Sequence, residues 1–318
     1  MDNLIIMINR LRKNIKKSSG CSYLYSRFDD LVKMLELKAK LTDQEMIMLS
    51  DLVRDYAVDS RYNNYASANW MRYSARCFYC ADRLAQYITG IHKESIINML
   101  NRYFWELVDS SVAPIIQQEV LDKYMQMHVN PSNAKELYGT LIYKAICECG
   151  RCRYWRGNDI YLAWLYTQSA FRLVMDYIKI YSDYSVLKEW VPLFNTVRLA
   201  NYWYEYPDSC NYHHTKPYER NLIIETLDKM LDKHLELLSF WFWHSPLEFI
   251  DTLPLNDLIE ILEVEEDDEF TKILNHMVTL PYNDKVEGIL KHFEHDDEQW
   301  IVDLSILLLS RYKNLQNH

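Results

Sequence analysis

The chain is 318 residues long, and only 6 of them are glycine and 8 proline. That scarcity, beside 49% apolar and 25% charged residues, excludes collagen-like, linker-rich and broadly disordered chains, and disfavours folds that depend on tight turns or Gly-rich phosphate loops. The net charge of −10 is unevenly spread: residues 1–206 carry 26 basic and 22 acidic side chains, a net of +4, whereas residues 207–318 carry 9 and 23, a net of −14.

Helical periodicity dominates from the start. Leu4, Ile8, Leu11 and Ile15 fall at i, i+4, i+7 and i+11, with Arg10, Arg12, Lys13, Lys16 and Lys17 on the other faces. Ser18-Ser19-Gly20 closes that helix, and a second is expected over residues 23–39 with Leu24, Phe28, Leu31, Val32 and Leu35 on one stripe. Thr42 followed three residues later by Glu45 reads as a capping box opening a helix to about residue 58. A long helix over residues 65–89 is expected to stop at Gly90 as its C′ residue. Further helices follow near 92–109, 113–127, 132–148, 158–181 and 185–204, with Pro114 and Pro131 at starts and Pro192 marking a kink or a restart near residue 190. After residue 218 the pattern resumes at about 219–243, 246–251, 255–263, 267–278, 282–293 and 296–313. No alternating Val/Ile/Thr run reads as a strand. The fold class is therefore all-α, with antiparallel helical hairpins packed as a bundle or an irregular α-solenoid and no significant β-sheet.

The break around residues 205–218 contains Pro207 and Pro217, lacks an apolar period, and falls where the charge balance changes. It divides the chain into an N-terminal helical domain at 1–206, a linker at 207–218 and an acidic C-terminal helical domain at 219–318. No run of eighteen apolar residues occurs, so no membrane span is expected. The first basic cluster follows the apolar stretch, where a secretory leader would place it before, and seven cysteines in no framework spacing suit reduced thiols. A cytoplasmic location is expected.

Several constellations could carry chemistry. Cys77-Phe78-Tyr79-Cys80 and Cys147-Glu148-Cys149-Gly150-Arg151-Cys152 hold thiols three apart, and residues at that spacing share a helix face. Cys77, Cys80, Cys149 and Cys152 converging would make a tetrahedral zinc or Fe–S site. The plainer reading is that they are small buried hydrophobes, with no cofactor. Cys210, His213 and His214 read as an exposed polar loop. Arg151, Arg153 and Arg156 interleave with Tyr154 and Trp155, a pattern that can hold phosphates and stack on bases, and Arg72, Arg76 and Arg83 add a second basic face. The acidic last third opposes a nucleic-acid partner. The run from Glu263 through Glu265, Asp267 and Asp268 to Glu269 lacks the glycine and oxygen ladder of a calcium loop, and suits the first turn of a helix or a decoy for a basic partner. His292 and His295 do not form an H-E-x-x-H, and no Walker A, dinucleotide, nucleophile-elbow or kinase signature is present, so no enzymatic activity is expected.

Tyrosine is the positive signal, at 25 residues. Its apolar body and polar tip suit half-buried and contact surfaces. Tyr177, Tyr181 and Tyr184 lie at i, i+4 and i+7, and with Trp203 and Tyr206 they outline a partner face. The leading expectation is a non-enzymatic scaffold that holds a basic protein partner through this Tyr/Trp surface and the acidic C-terminal region, as an immunity or defence-system component would. The alternative is a metal or redox sensor built on the four cysteines, and the third a nucleic-acid binder centred on Arg151–Arg156.

Overall fold

Described residues of the computed structural model are 3–15, 23–61, 68–109, 112–154, 160–194, 217–263 and 265–316. Every regular element among them is helical, fifteen α-helices and three short 3-10 turns with no strand, so the all-α expectation holds. None of these helices is long and apolar enough to cross a membrane.

Two compact units divide the chain: Met1–Ile180 with Thr196–Met230, and Tyr181–Asn195 with Leu231–His318. The first contains α1 (Asn3–Ile15), α2 (Tyr23–Glu36), α3 (Asp43–Arg61), α4 (Ala68–Ala85) and α5 (Ile91–Asp109). It continues with a 3-10 turn (Ala113–Ile115), α6 (Gln118–His128), α7 (Ala134–Tyr154) and α8 (Ile160–Tyr181), whose final residue falls to the second unit. The hub is α3, which packs on α1, α4 and α5. The stripe Leu4, Ile8, Leu11 and Ile15 is wholly buried, and Arg12 on the flank of α1 bonds Asp55 at 2.7 Å and Asp51 at 3.2 Å across to α3. The capping box forms as the spacing predicts. Glu45 N–H donates to Thr42 Oγ1 (3.3 Å) and Thr42 N–H donates to Glu45 Oε2 (2.8 Å), while Lys38 pairs with the other carboxylate oxygen. Deeper in, the carboxylate of Asp82 is buried and takes the Lys123 ammonium and the Tyr124 hydroxyl (3.1 Å), fixing α6 against α4.

The second unit contains the 3-10 turns Tyr184–Val186 and Val191–Phe194 around α9 (Leu187–Trp190), and the part of α10 (Pro217–His244) from Leu231 onward. It closes with α11 (Pro246–Thr252), α12 (Leu255–Leu262), α13 (Asp267–Met277), α14 (Asp284–Phe293) and α15 (Gln299–Gln316). Here α14 is central, against α11, α12 and α15. Two polar devices set its start. Lys285 Nζ donates to the carbonyls of Ile250 (2.9 Å), Asp251 (2.8 Å) and Leu253 (2.7 Å), so its charge closes the C-terminal end of α11. The buried Tyr312 of α15 accepts the Asn283 N–H (2.7 Å) and donates to the Pro281 carbonyl (3.2 Å), bracing the bend before α14.

Three expected helices come out differently. The helix expected over 65–89 ends at Ala85, because Ile88 must turn into the core, where it is fully buried. Gly90 is left-handed (φ 65°) but its carbonyl accepts from Lys93, so it opens α5 and does not close α4. Where a helix was expected over 185–204 with a kink or restart at Pro192, the chain makes short turns up to Phe194 with Pro192 in a 3-10 turn, since proline cannot supply the N–H an α-helix needs, and residues 195–204 lie outside the described residues. The segment expected over 113–127 is a 3-10 turn holding Pro114, followed by a separate α6. Most of the expected linker, residues 207–216, lies outside the described residues, while Pro217 and Tyr218 begin α10.

Candidate functional site

An acidic and aromatic surface forms in the second unit, where α13 begins beside the end of α10. Asp267, Asp268 and Glu269 occupy the first turn of α13, the position where a helix dipole favours negative charge. Asp267 and Asp268 are exposed. Glu269 turns inward: its Oε1 accepts the indole N–H of Trp243 (3.1 Å) and its Oε2 accepts from Lys272 (3.3 Å). Trp243, on the last turn of α10, is 41% exposed and leans on Phe242 and His276, with ring centroids 5.0 and 5.3 Å away. A large indole is thus held by one carboxylate, Glu269, on a helix turn that also carries the exposed Asp267 and Asp268. Glu265 is only half exposed against Leu262, and burial, with Glu269 and Glu266 nearby, pushes its carboxyl up from its ordinary value.

The tyrosine face is only partly assembled. Tyr177 is buried in the first unit and packs edge-on against Tyr138 at 5.5 Å, so its area goes to the core. Helix α8 stops at Tyr181, and Ser182 takes φ 52°, so Tyr184 leaves the helical register that the spacing suggested. Tyr184 stacks instead on His244 (4.6 Å) and Phe240 (6.1 Å) of α10, and both Tyr181 and Tyr184 keep partial exposure. Trp203 and Tyr206 lie outside the described residues.

A second site lies in the first unit. Arg72 and Arg76, one turn apart on α4, line a cleft of about 210 Å³ with Tyr79, Gln117 and Tyr161. The Arg72 guanidinium stands 5.1 Å from the Tyr161 ring centroid, a cation–π contact across to α8. Arg83, two turns beyond Arg76, donates to the Tyr79 hydroxyl at 2.9 Å. Among the described residues none that lines the cleft is acidic. The i, i+4 spacing of Arg72 and Arg76 is readable in the sequence; the approach of Tyr161 and Gln117 is tertiary and leaves no local signal. Arg153 and Tyr154 stand on the last turn of α7 with side chains outside the described residues, as are Trp155 and Arg156 altogether.

Of the cysteines whose side chains are described, Cys77, Cys80 and Cys149 are buried and Cys147 is partly exposed. Cys77 and Cys80 are buried on α4, and burial, with Asp29 nearby, pushes the Cys80 thiol up and disfavours the thiolate a metal needs. Cys149 is buried on α7 with its sulfur 3.4 Å from the Thr167 hydroxyl of α8. Cys152 lies in the last turn of α7 with its side chain outside the described residues. Among the described residues no three His, Cys, Asp or Glu side chains are grouped to hold a metal ion. Compared with known protein families and with curated proteins, the chain matches none.

Proposed function

We propose that this chain is a non-enzymatic helical interaction protein whose second unit holds a basic protein partner. The observation that carries this reading is Trp243, exposed yet fixed by Glu269, whose helix turn also carries the exposed Asp267 and Asp268. Exposed, oriented tryptophans are the commonest energetic centres of protein interfaces, and surrounding carboxylates steer and select a cationic surface. The net of −14 over residues 207–318 extends the same field. Masking a basic effector in the cytoplasm, as an immunity or defence component does, is the kind of task this suits. The test uses the tagged chain as bait beside Trp243→Ala and Asp267→Lys/Asp268→Lys versions. A basic protein retained by the parent, lost from both variants and released by raised salt supports the reading. Equal retention by all three baits removes it.

A second reading rests on the arginine cleft. Two guanidiniums and two tyrosines around about 210 Å³ suit a phosphate with a ring stacked beside it, as on a single-stranded nucleic acid. It predicts that a fluorescent oligonucleotide binds and that Arg76→Ala weakens it about tenfold. No binding at low salt sinks it.

A further inference from the structure

Helix α15 presents to solvent a stripe whose chemistry is complementary to itself. Its inner side, Ser305, Leu308, Leu309 and Tyr312, is buried. On the outer side stand Trp300, Asp303, Leu307, Arg311 and Asn314, all exposed, with Leu307 at the centre 65% exposed. One exposed leucine means little. The charges mean more. The stripe falls at −7, −4, 0, +4 and +7 about Leu307 and so reads the same in both directions. Its charge does not: on the stripe Asp303 precedes Leu307 and Arg311 follows it, while Lys313, off the stripe, is already paired with Glu287.

A two-fold axis through Leu307 therefore lays the acid of one stripe on the base of the other. Leu307 meets its own copy. Asp303 faces Arg311 of the partner, twice, and Trp300, packed on Phe270 of its own chain, faces Asn314 of the partner. A parallel pairing would set like charge on like charge and align the two helix dipoles. Isologous contacts require this kind of self-complementarity. Arg311 makes no ion pair among the described residues, and Asp303 accepts only a helix-surface hydrogen bond from Gln299 (2.9 Å). Both are placed to form an intermolecular pair.

We propose that a second copy of this chain docks on this face, the two α15 helices packing antiparallel about Leu307 to form a homodimer. A helix of 18 residues is about 27 Å long, and one such pair covers less than the roughly 1,200 Å² of total surface typical of stable complexes, so the dimer is weak and reversible.

The test is sedimentation velocity on the full chain from about 1 to about 200 µM, a range that spans weak dimers. The expected mass rises with concentration from the 38.3 kDa of one chain toward twice that value. Leu307→Glu, at a surface position that leaves the core intact, abolishes the rise while circular dichroism stays unchanged. Asp303→Arg alone and Arg311→Asp alone each raise the dissociation constant about fivefold or more, because each sets like charges together at two places. The double variant Asp303→Arg/Arg311→Asp restores it to within about twofold of the parent, since the reversed pairs are again complementary. A monomer at every concentration overturns the proposal. So does a dimer indifferent to Leu307→Glu, or a double variant no better than the singles.

Discussion

Glu265 and Lys285 show how far a single side chain reaches in the second unit. The carboxyl of Glu265 is held above its ordinary value by burial and by Glu269 and Glu266. A raised carboxyl pKa stabilises the fold only while the group is protonated, and that stability is lost as pH rises through the folded value. Glu265→Gln is therefore expected to raise the melting temperature at pH 7 and to leave it unchanged near pH 4; a loss at pH 7 would show that the carboxylate is used. Lys285 places one ammonium on three carbonyls at the end of α11. Replacing it with Met, which keeps the stem and removes the charge, is expected to cost about 1–2 kcal/mol in urea unfolding. Neither role is legible in the sequence, because the partners lie 32 to 35 residues away for Lys285 and depend on how α11, α13 and α14 meet. The same holds for Trp243: the acidic run was visible, but nothing local joins it to a tryptophan 26 residues earlier.

Elements were far more legible than sites, since their signals are local. The stripe of α1 and the capping box of α3 stand in the structure as their spacing predicts. Thr42→Ala should cost about 1 kcal/mol, as the loss of an N-cap usually does, and Thr42→Ser should recover most of it. An unchanged melt for Thr42→Ala would mean that Glu45 and Lys38 hold the turn without the hydroxyl. Where the sequence misled, tertiary packing outweighed the local period. Ile88 left the helical path to reach the core, and Tyr184 left the register of Tyr177 once Ser182 broke α8. Helical spacing across a break carries no facing information, so the tyrosine stripe dissolved while its individual rings still found partners.

At the scale of the molecule, two compact units and an uneven charge make separable expectations. Thr42→Ala should shift the thermal transition of the first unit and Lys285→Met that of the second, read by calorimetry; one transition moved equally by both would show that the units melt together. Elemental analysis of purified protein beside Cys77→Ser and Cys149→Ser addresses the sensor alternative: stoichiometric zinc or iron lost in both variants would establish it, and metal at background would leave the thiols as packing. The charge boundary near residue 207 was plain in composition, whereas the assignment of Tyr181–Asn195 to the second unit required the fold.

The brace that Tyr312 supplies to Pro281 and Asn283 has a consequence in time. A ribosome makes the bend before α14 long before it makes the hydroxyl that ties it, for 29 residues of chain separate Asn283 from Tyr312. During synthesis the first unit can bury its core while the start of α14 is held by Lys285 alone, without the brace of Tyr312. A premature stop inside α15 would then release a product whose front half resists proteases and whose back half is a ready target for degradation.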